Sequence, residues 1–194
     1  MKQLLIVMKK CMDKLFFLFV FNISLVFAQE YKGKEFPLVT GETFDGKSLA
    51  IPTTTNGKAS VIGICFSKDA EKELKAWLNP VYNLFIVKKD ENDFFSAAAN
   101  YDVSFYFIPM LNKVNQILEK SSKDKIRKET DKEFWPYLVF YEGETKLFKE
   151  TFKLKDNDIP YFFVLDKDGK VINLISGKYS EQKLESLEES MDIE

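Results

Sequence analysis

A chain of 194 residues with 45% hydrophobic and 15% aromatic residues, 19 of them Phe, is long enough for one domain and too apolar to remain unfolded. Its 28 basic and 30 acidic side chains give a formal net charge of −2, so no basic field draws it to nucleic acid. Histidine is absent, and this excludes Ser-His and Cys-His nucleophilic pairs together with imidazole zinc sites.

Residues 1–28 read as a secretory signal peptide and residues 29–194 as the domain. Lys9, Lys10 and Lys14 precede the apolar run Leu15 to Phe27, which is shorter than the roughly 20 residues of a spanning helix and ends in Val26-Phe27-Ala28. Met8 is an alternative start, and an uncut leader would act as an N-terminal anchor, the one membrane attachment the sequence offers. Cys11 lies ahead of the apolar run, out of place for lipidation. Cleavage after Ala28 removes Lys2, Lys9, Lys10, Lys14 and Asp13, leaving 24 basic and 29 acidic side chains and a net charge of −5. It also leaves Cys65 as the sole thiol, so no intramolecular disulfide is possible. Export to a bacterial periplasm or cell envelope is the expectation.

Phe36-Pro37-Leu38-Val39 and Thr43 to Leu49, with a turn at Asp45-Gly46, predict an opening β-hairpin. Ala59 to Phe66, apolar apart from Ser60, reads as a strand buried on both faces. Ser67 or Asp69 caps the helix that follows, in which Ala70, Leu74, Trp77, Leu78 and Val81 recur at three- and four-residue spacing. Val103 to Met110 is a second apolar strand. Val114, Ile117 and Leu118 mark a helical face, and Lys120 to Lys132 is a solvated helix end or loop. Tyr137 to Tyr141 is extended, and Leu147, Phe148 and Phe152 form an alternating apolar region. Ile159-Pro160 leads into the run Tyr161 to Leu165, Asp168-Gly169 turns the chain, and Val171 to Ile175 returns antiparallel. Ser180 caps a closing helix carrying Leu184, Leu187 and Met191. Buried strands alternating with helices, then a hairpin and helix, predict a mixed-sheet α/β sandwich.

Asp156, Asp158, Asp166 and Asp168 lack the glycine and terminal glutamate of a calcium loop and read as turn caps, so neither a metal nor a cofactor is expected. The aromatic residues Phe134, Trp135, Tyr137, Phe140 and Tyr141 read as core.

In order and spacing, Phe36-Pro37-Leu38, Phe44-Asp45-Gly46-Lys47, Gly57-Lys58-Ala59-Ser60-Val61-Ile62 and Phe163 to Val171 with Ser176-Gly177 resemble the thioredoxin-like fold in its exported, membrane-facing and peroxiredoxin-related branches. That resemblance implies a thioredoxin-like sandwich, a central mixed β-sheet flanked by helices with an N-terminal β-hairpin. It also implies that Pro160 is the family's cis-proline, facing the loop at the start of the first helix. Active members carry a Cys-x-x-Cys pair or a peroxidatic Cys at that loop, where the helix N-terminus lowers a thiol pKa. Here the place is held by Ser67-Lys68-Asp69-Ala70-Glu71, without a thiol. Phe66-Ser67 to Ala70, Lys75-Ala76-Trp77, Pro80, Phe85 and Asp158 to Asp166 also resemble the thioredoxin-like assembly factors of mitochondrial ATP synthase, a family that helps assemble a membrane-embedded subunit.

Three readings follow. The first is a binding or folding-assistance module for a protein or peptide, with a groove formed by Ser67, Lys68, Asp69, Ala70, Ile159 and Pro160 and no catalytic residue. The second is a one-cysteine thiol peroxidase or thiol transferase acting through Cys65, with Lys68 stabilising its thiolate. The third is a structural domain of an envelope complex.

Overall fold

The computed structural model describes residues 30–86, 102–110, 126–141 and 143–191. The leader and the face at Val114, Ile117 and Leu118 lie outside the described residues. In chain order the elements are β1 (Val39–Thr43), β2 (Ser48–Ile51), β3 (Ala59–Cys65), α1 (Lys68–Phe85), β4 (Val103–Pro109), β5 (Val139–Tyr141), α2 (Lys146–Phe152), β6 (Tyr161–Leu165), β7 (Val171–Ser176) and α3 (Glu181–Glu189), with short 3-10 turns at Thr53–Thr55 and Lys132–Tyr137. No helix among the described residues is long and apolar enough to cross a membrane.

The central sheet has the order β4-β3-β6-β7, and a smaller sheet has the order β2-β1-β5. β3 runs parallel to β4 and antiparallel to β6, so the sheet is mixed as expected. The opening hairpin forms around Asp45-Gly46, where Gly46 takes the positive φ of 91° that a side chain resists. A bridge from Phe107 to Leu138 joins the two sheets.

Strand alternation divides the core in two. Ile62 and Ile64 of β3, with Tyr161, Phe163 and Leu165 of β6, face a layer made by β1, β2 and α2. Val61 and Cys65, with Phe162 and Val164, face the other way, onto Ala70, Leu74, Trp77, Leu78 and Val81 of α1 and Leu187 of α3. The helical stripe read from the sequence is therefore the buried face of α1. Leu147, Phe148 and Phe152 correct the reading of an alternating extended region: they lie on α2, and the four-residue step from Phe148 to Phe152 puts both rings on one buried face.

The β6–β7 turn is held by Asp166, whose carboxylate accepts from the Asp168 and Lys170 amides, both at 2.9 Å. Gly169 is required there twice over: its φ is +80°, and a Cβ would sit 2.7 Å from the Pro52 side chain. The segment before β1 closes the edge of β7. Gly33 N–H donates to Val171 O and Val171 N–H to Lys34 O, each at 2.8 Å.

Candidate functional site

The site lies where β3 and β6 stop pairing. Their register ends at Ile64 opposite Tyr161. Beyond it the Cys65 carbonyl turns away to accept from Met110 N–H at 2.8 Å, and the Pro160 carbonyl accepts from Gly177 N–H at 2.8 Å on the β7 side. Continued past that pair, the same register would set Phe66 opposite Ile159, with the main-chain groups of each on the side toward the other strand. Among the described residues neither makes a backbone hydrogen bond, so the two strand ends leave a gap with main-chain donors and acceptors on both sides.

Ser67 to Ala70 form the rim. Ser67 is extended (φ −137°, ψ 167°), and its hydroxyl accepts the Ala70 N–H at 3.1 Å, one of the two caps the sequence offers; Asp69 is the second residue of the helix and pairs with Lys72 at 2.8 Å. Lys68 and Asp69 are exposed, Ser67 is partly exposed and Ala70 is buried under the helix. Ser67→Ala removes a cap and is expected to cost about 1 kcal/mol in urea titration; an unchanged midpoint would show that the cap is dispensable.

Pro160 is buried at the head of β6, beside this rim as the topology requires. The cis bond expected there is corrected: among the described residues the cis peptide bond is Ile51–Pro52, and Ile159–Pro160 is trans. Proline at this position cannot donate to the Gly177 carbonyl opposite it, and the Trp77 indole N–H donates there instead at 3.2 Å.

Cys65 is fully buried, because its position in the alternation turns it under α1. Burial, reinforced by the charge of Glu71 and opposed by Lys68, pushes its thiol up from an ordinary 9.0 to about 12. Glu71 is itself buried, and its carboxylate is held by Lys68 at 2.8 Å and Lys75 at 3.8 Å. Lys68 is thereby committed to Glu71. Next to α1, a pocket of about 30 Å³ between Leu74, Leu78, Phe107 and Leu138 has room for little more than a water molecule.

Phe66, Tyr161 and Lys149 also border the gap, and of these only Lys149 was not singled out in the sequence. The Phe66 ring lies 6.2 Å from the Tyr161 ring, whose hydroxyl donates to Asp156 O at 2.8 Å. The Lys149 ammonium of α2 sits over the Phe66 ring, 4.6 Å from its centroid. Nothing local marks Lys149; only the packing of Phe148 and Phe152 swings it over β3.

This fold is shared with solved structures of low sequence identity. A protein named as a thiol:disulfide interchange protein, DsbE, from Chlorobium tepidum superposes with a TM-score of 0.52 at 16% identity over 82% of this chain and 94% of its own. A protein named as a thiol-disulfide oxidoreductase from Bacteroides vulgatus gives 0.53 at 14% identity over 84% and 99%. An uncharacterized conserved protein from Geobacillus kaustophilus gives 0.52 at 17% identity over 83% and 80%. No curated protein matches. The chain has a thioredoxin-like fold with Phe66 to Ala70, none of them a thiol, at the start of its first helix. Within that class the chain belongs to the ATP10 protein family, which it matches over residues 17–192, in keeping with its resemblance to ATP synthase assembly factors.

Proposed function

We propose that this protein is an exported binding module that holds an extended segment of a client protein in the gap between Phe66 and Ile159 and assists assembly of a membrane complex. The observation that carries this reading is the pair of facing, unpaired main-chain positions at the end of the β3–β6 ladder. An incoming extended segment can complete the ladder with its own amide and carbonyl groups, as in strand addition to a sheet edge. Membership of the ATP10 family supports the assembly role and suggests an ATP synthase subunit as client. Export rests on the basic start and short apolar run of residues 1–28.

Thiol chemistry is disfavoured by the position of Cys65. A thiol with a pKa of about 12 supplies a negligible fraction of thiolate at neutral pH, and α1 covers it.

An array of overlapping 12-residue peptides covering the membrane subunits of ATP synthase from the same genome tests the proposal. The wild-type chain is expected to bind discrete runs of peptides. Ile159→Pro, which removes the inward-facing donor, should weaken those spots about fivefold, the worth of a hydrogen bond of about 1 kcal/mol. Uniform retention, or binding that Ile159→Pro leaves intact, would remove the gap from the account.

A further inference from the structure

The rim of the gap carries a cation that nothing in the described chain neutralises. Three lysines lie on or just beyond α2, and two of them have carboxylate partners: Lys146 Nζ is 3.6 Å from Glu150 Oε1, and Lys153 pairs with Glu30. Lys149 has none within 4 Å among the described residues, and its ammonium rests on the Phe66 ring. On the other side of the gap Lys68 is committed to Glu71. Lys149 is half-buried, so part of its hydration is already lost. A cation–π contact compensates for this only in part and leaves the N–H donors unspent.

The ring beneath Lys149 belongs to Phe66, one of the two residues with unpaired main-chain groups. A segment pairing with Ile159 or Phe66 would therefore run past the ammonium, and side chains at alternate positions would point toward α2. An apolar side chain there meets Phe66 and Tyr161. A carboxylate there meets Lys149.

We propose that Lys149 anchors an Asp or Glu side chain of the extended client segment and so determines which segments the gap accepts. This rests on the gap being the binding site, and it adds a charge requirement that strand pairing alone does not impose. Charge complementarity at a partly desolvated position contributes more to discrimination than an exposed ion pair does.

The test uses the full chain and an array of capped, amidated 12-residue peptides of apolar β-forming residues, each carrying one Glu or, in a matched copy, one Gln at the same position. Peptides with a free C-terminal carboxylate and no Glu form a third set. Wild type should favour Glu over Gln about tenfold at one register of the array. Lys149→Gln should abolish that preference while Gln peptides bind as before, and Lys149→Arg should keep it. Thermal melts of both variants guard against misfolding.

Equal retention of Glu and Gln peptides overturns the anchor, as does a Glu preference that survives Lys149→Gln. A preference for free C-termini over internal Glu overturns the assignment to an Asp or Glu side chain. Failure of every peptide to bind wild type overturns the gap and the anchor together, whereas loss of the charge preference alone leaves the gap standing.

Discussion

Trp77→Ala is expected to lower the unfolding free energy by about 4 kcal/mol, within the range for removing a large buried aromatic residue. Trp77 is fully buried in the middle of α1 and packs on Phe162 of β6 with ring centroids 4.3 Å apart. Its edge meets Tyr179 at 5.4 Å, and its indole N–H donates to Gly177 O at 3.2 Å. The substitution removes more than apolar contact, because it strands the Gly177 carbonyl that links the end of β7 to α1. Trp77→Phe keeps most of the volume and loses the hydrogen bond, so it should cost about 1–3 kcal/mol, the charge for one unsatisfied buried acceptor. Urea unfolding followed by circular dichroism measures both. A loss below about 1 kcal/mol for Trp77→Ala would mean that α1 does not clamp the sheet as described.

Raising the pH should erase much of the stability that Cys65 contributes. Its folded pKa of about 12 stands above the ordinary 9.0 because the buried site resists the thiolate. In the unfolded chain the thiol ionises near its ordinary value, so above pH 9 the unfolded state loses a proton that the folded state keeps. A raised acid pKa therefore contributes fully below pH 9, and the contribution is lost progressively up to about pH 12. Measured against Cys65→Ala, which has no proton to lose, the wild-type advantage should shrink by about 2 kcal/mol between pH 8.5 and pH 10.5. Using the difference between the two chains cancels the lysines and tyrosines they share. A gap independent of pH would place the thiolate in a solvated environment and reopen cysteine chemistry.

The parts legible in the sequence were those whose signal is local. The continuous apolar runs of β3 and β6, the cap at Ser67, the apolar stripe from Ala70 to Val81 and the Asp168-Gly169 turn each declare themselves within a few residues, and each is where the chain places it. Phe148 and Phe152 were harder, since an α2 of seven residues is too short for its period to stand out. The site was legible only along one edge. Ser67 and Pro160 fall at adjacent strand ends because the topology brings them there, but the gap between Phe66 and Ile159 depends on where a ladder stops. Lys149 depends on a contact between two elements more than 80 residues apart in the chain, and no spacing rule encodes it. The isomer of Ile159–Pro160 was carried over from the fold resemblance, and this chain departs from it.

The proposed binding of protein segments at the end of the β3–β6 ladder requires no thiol chemistry. The most direct measurement compares wild type, Cys65→Ala and Ile159→Pro on the same ATP synthase peptide array, with equal folding verified by circular dichroism. Cys65→Ala is expected to retain every peptide to within about twofold of wild type, while Ile159→Pro loses about fivefold. Binding that fails with Cys65→Ala and persists with Ile159→Pro would contradict the proposal.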